Sequence, residues 1–369
     1  MLAMVKKTRV GIIFGGRSAE HEVSIQSAKN VYDALDKSKY DPVLIGIDRT
    51  GKWYIQESSI FSLKAYHDEI KKLSTKNAEL SITPGASESH LIASDVQDLE
   101  SLDVIFPVLH GTYGEDGTMQ GMLKLMNIPF VGAGVLGSAV GMDKDVMKKL
   151  LTVQGLPVVR YMVALDSEKD SLTYEMVAEV LGETVFIKPA NMGSSVGVSK
   201  VKNQKEFTKA LTHAFEYDRK VLIEEYIPCE EVECSVLGND APIASLPGRI
   251  IPQHEFYSYE AKYIDENGAK LEIPANIPEE ITAKVQELSV QVFKTLYCEG
   301  MARVDFFIHK DTQEVYVNEI NTIPGFTKIS MYPQLWEATG MSYTELVDRL
   351  IQLAIERFEK EQKLKTTRH

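Results

Sequence analysis

Two stretches toward the C-terminal end constrain this chain more than any other: RVDFF at 303–307 and YVNEIN at 316–321, with the polar run HKDTQE between them. Apolar β-branched and aromatic residues on both sides of a polar run read as two strands joined by a hairpin turn. Side chains alternate faces along a strand, so Arg303 and Asp305 share a face, as do Glu319 and Asn321. A hairpin symmetric about residue 312 sets Asp305 across from Glu319 and Arg303 across from Asn321. Three oxygen donors and a guanidinium then meet on one patch. Two carboxylates and an amide oxygen suit Mg²⁺, which takes hard oxygen donors and fills the rest of its shell with water and nucleotide phosphates. The solvated polar face of an ordinary hairpin has the same composition, so the metal reading depends on what the rest of the chain supplies.

At 369 residues the chain exceeds one core, and two or three domains are expected. Hydrophobic residues make up 44% and charged residues 25%, a globular balance that leaves little room for long disorder. A formal net charge of -13 argues against a nucleic-acid surface, because phosphate binding is mainly cationic. Acidic substrates would need local clusters of basic residues instead. Cys229, Cys234 and Cys298 form neither a CxxC pair nor an even framework, so buried thiols in a reducing compartment are expected, rather than disulfides or structural zinc. Residues 1–8 are too short and too basic for a signal peptide, and no run approaches the ~20 apolar residues of a membrane span. A cytoplasmic protein with no nucleic-acid or membrane partner is the expectation.

Strand and helix patterns alternate along the chain, which points to the α/β class. An apolar strand at 9–15, a helix at 24–35 and a second strand at 42–47 make a βαβ opening. A buried strand at 103–109, a helix at 118–126 and a strand stub at 130–132 follow, and a first boundary is expected near 135. The intervening 58–101 is polar and poorly periodic, with a helix expected around 63–73. A helix at 143–154 and strands at 185–188, 196–201 and 221–225 form a second unit. The remainder, from 227, holds the metal hairpin and ends in an amphipathic helix at 343–360, with a polar tail at 361–369 expected to fray.

Three motif matches mislead. Gly132-Ala-Gly134-Val-Leu-Gly137 fits the dinucleotide fingerprint, but it follows only a strand stub and no clear acidic strand end comes ~20 residues later. The run GIDRTGK at 46–52 mimics a Walker loop, yet Trp53 stands where a Ser or Thr must hold Mg²⁺, so a β-turn is expected. His21-Glu22-Val23-Ser24-Ile25 lacks the second histidine of a zinc HExxH. Better nucleotide signals lie further on. Phe186-Ile187-Lys188-Pro189 ends an apolar strand in a lysine, and the Gly193–Gly197 turn follows, so that an ammonium and close backbone N–H groups can meet phosphate oxygens. The apolar run VLIEEYI at 221–227 turns polar at its end, where backbone groups can bond an adenine edge and a carboxylate a ribose. Ordinary strand ends look the same when taken singly.

Their order removes most of that ambiguity. With MDK at 142–144, FIKP at 186–189, GSSVGVSKV at 193–201, IEEYI at 223–227, RVDFF and NEINTIPGFT at 318–327, the chain resembles the ATP-grasp fold. Adding GGRSAEHEVS at 15–24, HGTYGEDGTMQG at 110–121 and FYSYEAKY at 256–263, it closely resembles the D-alanine:D-alanine ligase family from about residue 9 to about 355. The resemblance implies an N-terminal Rossmann-like α/β domain over 1–135 and two α+β ATP-grasp subdomains, a lid at 136–226 and a metal- and substrate-bearing unit at 227–369.

It also implies roles. Lys144, Lys188 and Lys262 would contact nucleotide phosphates, with Ser195 beside them in the glycine-rich turn, while Glu224, the Glu225 and Ile227 backbone and Glu231 would hold adenine and ribose. Asp305, Glu319 and Asn321 would bind two Mg²⁺ or Mn²⁺ ions, and an activating monovalent cation is compatible with the family. Glu20 would pair with the ammonium of the first D-alanine, and His110, Ser194 and Tyr263 would complete the polar network around the substrates. Arg303 and the Gly325 N–H would stabilise the tetrahedral oxyanion, and Ser330 with the Met331 backbone would hold the second carboxylate. Cys229 departs from the family, which often has glycine there. The activity implied is ATP-dependent joining of two D-alanines through an acyl phosphate, by a homodimer. Because an acyl phosphate hydrolyses in water, the Gly193–Gly197 turn and 247–267 are expected to close over the site, with Tyr263, Ser194 and Glu20 as the latch. Tyrosine at 263 goes with an amine acceptor, where relatives that make the D-lactate ester have phenylalanine. Another ATP-grasp ligase would lack the joint occurrence of Glu20, the SSVG turn and the EAKY loop. An idle nucleotide binder would have lost a metal ligand or a phosphate lysine.

Overall fold

Val10, Ile12 and Phe14 alternate with Gly11 and Ile13, and every one of them is buried, because β1 (Thr8–Gly15) is the centre of a sheet covered on both faces. The computed structural model describes residues 6–61, 79–83, 91–93, 101–252 and 269–365. Helix α1 (His21–Ala34) returns the chain to β2 (Tyr40–Ile47), parallel to β1, and β3 (Trp53–Gln56) adds an antiparallel edge. The Walker-like run is the turn of that last hairpin, with the Gly51 N–H donating to the Asp48 carbonyl and the Asp48 N–H to that of Lys52. β4 (Leu80–Ile82) and β5 (Leu91–Ala93) pair separately, and β6 (Val104–Val108) completes the order β3-β2-β1-β6. The helix expected around 63–73 lies outside the described residues.

Helices α2 (Thr118–Leu125), α3 (Val135–Met142) and α4 (Lys144–Val153) lead out of this sheet. A Cβ on Gly137 would come within 2.6 Å of the Tyr297 carbonyl oxygen, so this glycine of the misleading fingerprint serves close packing of α3 on a neighbouring turn. Asp143 caps α4 by accepting from the Asp145 and Val146 N–H groups. The second sheet runs through β7 (Tyr161–Leu165), α5 (Tyr174–Leu181), β8 (Val185–Pro189), β9 (Ser199–Val201), α6 (Gln204–Ala214) and β10 (Lys220–Glu225), in the antiparallel order β7-β10-β8-β9. β9 begins three residues later than the apolar pattern predicts. Ser194, Ser195 and Gly197 take φ of 52°, 59° and 72°, a left-handed turn that extended pairing cannot continue.

The third sheet contains β11 (Cys229–Gly238), β12 (Ile243–Ala244), β13 (Gly248–Pro252), β14 (Ala269–Glu272), β15 (Gly300–His309) and β16 (Val315–Asn321). Its main path is β14-β13-β11-β15-β16. Helix α7 (Glu279–Thr295) packs with α4 on one face, burying Met147, Leu151, Val292 and Phe293 against Val232, Val304 and Phe306. On the other side α8 (Met331–Thr339) and α9 (Tyr343–Gln362) join the core of the first sheet, where Leu346, Leu350 and Ile351 meet Val10, Ile12 and Phe14. The C-terminal helix thus bridges the first and third sheets, and buried Arg357 fastens it by donating to the Phe130 and Gly132 carbonyls. All three cysteines are free thiols, and burial pushes Cys234 up to about 11. Among the described residues no helix is long and apolar enough to cross a membrane.

Candidate active site

The hairpin pairs Arg303 with Asn321 and Asp305 with Glu319, as its alternation predicts. The register then slips: Phe306 faces Val317, leaving Asn318 as an extra residue. This bulge keeps Val315, Val317 and Ile320 in the core while Asn318 and Glu319 both line a cleft. Arg303 donates from Nε and Nη2 to the two Asp305 oxygens, each at 2.7 Å, and its Nε lies 2.9 Å from Glu233 Oε2. The Asn321 amide donates to Asp305 Oδ2 at 3.1 Å. Among the described residues no three His, Cys, Asp or Glu side chains cluster as a closed metal cage. Two carboxylates and one amide oxygen on adjacent strands are the donor set that fits a hard ion keeping most of its shell for water and phosphates.

The cleft between the second and third sheets has a volume of about 330 Å³. Lys188, at the end of β8, lies 2.7 Å from Glu224 Oε2 and donates to Asn318 Oδ1 at 3.3 Å. The other Glu224 oxygen is 3.0 Å from the ammonium of Lys148, which is fully buried. Burial alone would raise the Glu224 carboxyl, and the Lys148 and Lys188 ammoniums outweigh it, holding the group below its ordinary value. Burial lowers Lys148, against the pull of the Glu224 carboxylate. Lys144, at the first turn of α4, donates to the Met192 carbonyl at 2.8 Å and lies 3.3 Å from Glu319 Oε2. Glu225 is tied down by the Arg160 N–H and guanidinium, both at 2.7 Å. Glu225, Ile227, Cys229, Glu231 and Ser195 border the same cleft. Sequence reasoning missed Lys148, four residues after Lys144 and so on the same helical face. It also missed Lys200, whose Nζ sits 3.9 Å from the centre of the Tyr226 ring at the cleft wall.

A smaller polar recess adjoins the cleft and includes Glu20, His110, Glu115, Arg303, Asn321 and Gly325 in its lining. Gly193, Ser194 and Glu319 border both spaces, so the two join there. The Ser194 hydroxyl donates to Glu20 Oε1 at 2.5 Å, across the gap between the first and second sheets. Glu20 directly precedes α1, whose Ser24 ties the ends of β1 and β6 by accepting from the Gly15 N–H and donating to the Val108 carbonyl. A Cβ on Gly325 would lie 2.7 Å from Ser330 Oγ, so a side chain there would displace that hydroxyl. Ser330 in turn accepts from the Thr327 N–H at 3.0 Å, and Met331 opens α8. Lys262 and Tyr263, with most of the expected closing segment, lie outside the described residues.

Glu115 is the recess residue that sequence reasoning passed over. It accepts from the Gly111 N–H at 2.8 Å and the Ile323 N–H at 3.4 Å, and burial, then the nearby Glu20 charge, pushes it up to about 8. Its signal was a charged pair inside the otherwise glycine-rich HGTYGEDG. His110 is fully enclosed, and burial lowers its pKa, which favours the neutral ring.

Comparison with known proteins identifies the family. The family model described as D-ala D-ala ligase N-terminus matches residues 9–133, and the one described as D-ala D-ala ligase C-terminus matches residues 150–352. The D-alanine--D-alanine ligase of Shouchella clausii is 54% identical over 362 residues, 98% of each chain. D-alanine--D-alanine ligase A of Escherichia coli K12 is 50% identical over 364 residues, 98% of this chain and all of that one. Among solved structures, the D-alanine-D-alanine ligase from Coxiella burnetii has a TM-score of 0.84 at 39% identity, covering 97% of both chains. The VanG D-Ala:D-Ser ligase from Enterococcus faecalis has a TM-score of 0.83 at 36% identity, covering 95% of this chain and all of that one. Both halves match in chain order and the likeness extends over nearly the whole length, so the chain belongs to the D-alanine:D-alanine ligase family, within the ATP-grasp fold.

Proposed function

We infer that the chain joins two D-alanines into D-alanyl-D-alanine, converting ATP to ADP and phosphate through a D-alanyl phosphate. The observation that carries this reading is the junction at Ser194 and Glu319, where a lysine-lined cleft meets a recess holding a carboxylate for an ammonium and a guanidinium for an oxyanion. A carboxylate is a poor acylating agent. One D-alanine carboxylate oxygen therefore bonds to the γ-phosphorus as the bond to the β-phosphate oxygen breaks, and ADP leaves. Lys144 and Lys188, with Lys262, neutralise and position the phosphates, which is most of what phosphoryl transfer needs. Asp305, Glu319 and Asn321 would hold two Mg²⁺ or Mn²⁺ ions, whose charge offsets that of the phosphate oxygens. Glu20 takes the first ammonium and is held toward it by Ser194.

The amine of the second D-alanine then attacks the acyl carbon to form a tetrahedral oxyanion, which collapses to the amide as the bond to the phosphate oxygen breaks, the surplus amine proton leaving with the phosphate. Charge grows on the carbonyl oxygen between Arg303 and the Gly325 N–H. Two carboxylates already orient the guanidinium, so little reorganisation is needed when that charge appears. Ser330 Oγ and the Met331 N–H receive the second carboxylate. Lys200 and Tyr226 flank the adenine, and the Glu225 to Ile227 backbone and Glu231 take its edge and the ribose. Tyr263 favours an amine acceptor over the D-lactate hydroxyl. The enzyme acts as a homodimer in the cytoplasm and supplies the D-alanyl-D-alanine end of peptidoglycan precursors, and it accepts an activating monovalent cation.

Phosphate release measured with ATP, Mg²⁺ and D-alanine, beside L-alanine, D-alanine plus D-lactate and D-alanine plus D-serine, with products weighed by mass spectrometry, tests the reading. Release that depends on D-alanine and yields its dipeptide is expected. An ester or a D-serine dipeptide as main product overturns the acceptor assignment. No release in any mixture overturns the activity.

A further inference from the structure

The short strap Ile323-Pro324-Gly325-Phe326 leaves the third sheet and crosses to the first, where its ends meet side chains that the reaction above does not use. At one end the Ile323 N–H donates to Glu115 Oε2 at 3.4 Å, and the Ile323 carbonyl faces His110 Nδ1 at 3.0 Å. At the other, the Phe326 N–H donates to Ser27 Oγ at 3.1 Å, and the Phe326 carbonyl accepts from the Asn30 amide at 3.0 Å and the Tyr343 hydroxyl at 2.6 Å. Pro324 has no N–H, so Gly325 carries the strap's remaining amide donor. His110 joins the two ends, because its Nε2 lies 3.1 Å from Ser27 Oγ. A carbonyl can only accept, so Nδ1 of the neutral ring bears the proton, and the lone pair on Nε2 accepts a hydrogen bond from the Ser27 hydroxyl. Both ring nitrogens are thereby used within the protein.

We propose that Ser27, Asn30, His110 and Glu115 are positioning residues for the acyl-transfer step: they clamp both ends of 323–326 and so aim the Gly325 N–H at the oxyanion. This moves His110 from substrate contact to support, and it makes the oxyanion donor depend on closure of the first sheet against the third. The inference rests on the reading of Gly325 given above. Ser27 and Asn30 line neither chamber, so substituting them perturbs the clamp without touching substrate.

Ser27→Ala and Asn30→Ala are the variants to make, with Ser27→Thr as the hydroxyl-retaining control. Positional isotope exchange in γ-¹⁸O-labelled ATP with D-alanine reports phosphoryl transfer alone, and dipeptide synthesis reports both steps. The expected result is isotope exchange within about twofold of the parent and dipeptide kcat down by about 10- to 100-fold, the range for a reacting group displaced by up to ~1 Å. KM for the second D-alanine should change less than about threefold, and a phosphinate dipeptide mimic of the tetrahedral intermediate should lose affinity in step with kcat. Ser27→Thr should recover most of the loss. Exchange and synthesis falling together in both alanine variants, or neither changing, overturns the clamp while leaving the ligase reading intact. A parent enzyme that makes no dipeptide overturns that reading and the clamp with it.

Discussion

Glu224 sits between two ammoniums, and its replacement by glutamine is the substitution whose cost the structure bounds best. Its oxygens lie 2.7 Å from Lys188 and 3.0 Å from Lys148, and all three groups are buried. Removing one partner of a buried ion pair costs about 3–5 kcal/mol, because the remaining charge has neither water nor a counter-ion. An upper bound follows from Lys148 itself. A lysine that must shed its proton to stay buried at pH 7 costs at most about 5 kcal/mol, since its ordinary pKa lies about 3.5 units higher and each unit is worth about 1.36 kcal/mol. Glu224→Gln should therefore destabilise the second sheet by about 3–5 kcal/mol at pH 7. In that variant the folded state binds fewer protons than the unfolded one, so its stability rises with pH, by up to about 1.4 kcal/mol per unit between pH 7 and 9. Lys148→Met leaves the Lys188–Glu224 pair intact and should cost no more than about 1–2 kcal/mol, and placed on Glu224→Gln it should restore about 2–3. Hydrogen exchange at the buried Leu222 and Ile223 amides of β10 is the readout. A cost under about 1 kcal/mol, or no rescue by Lys148→Met, would refute the charged triad.

Arg303→Ala should lower kcat by about 10²- to 10³-fold while moving KM for ATP and D-alanine little, and a change confined to KM would remove its oxyanion role. Glu115 holds its proton up to about 8, well above an unfolded carboxylate, so the folded state gains least from it at high pH. The stability difference between wild type and Glu115→Gln should therefore fall from about pH 5 to about 8 and then level off, as measured by urea unfolding across that range. Gly137→Ala forces a Cβ against a backbone oxygen and should cost about 1–3 kcal/mol in thermal unfolding, with no effect on nucleotide affinity if this glycine only serves packing.

Much of the site was written in local pattern. The facing pairs Arg303/Asn321 and Asp305/Glu319 followed from period-two alternation and a turn centre. The symmetric hairpin missed the bulge, although a trace of it stands in the sequence: Val315 and Val317 are spaced by two but Ile320 comes three later, so one face is kept buried only if Asn318 is extra. Groups whose roles depend on distant partners were not legible. Lys148 reads as a surface charge on an amphipathic helix until β10 brings Glu224 to it. Glu115 reads as a loop acid until the strap brings the Ile323 N–H. The path of α9 onto the first sheet was invisible for the same reason, since its apolar stripe says that it packs but not on which sheet.

Ser194 shows how local strain and long-range contact meet. A non-glycine residue at φ 52° carries roughly 1–2 kcal/mol of backbone cost, and here it is met by a charge-assisted hydrogen bond to Glu20 from another sheet. The two contributions can be separated. Ser194→Ala removes the bond and keeps the strain, so the turn should relax away from the left-handed region. Ser194→Gly removes the bond and the strain together, so the turn should keep its shape more often. Since Ser194 borders both chambers, turn shape should register in KM for ATP and for D-alanine alike. Glycine should then outperform alanine by about 1 kcal/mol, roughly fivefold in kcat/KM, with both below the parent. Equal activity of the two variants would mean that the left-handed turn is held by its own sequence and that Glu20 does not shape it.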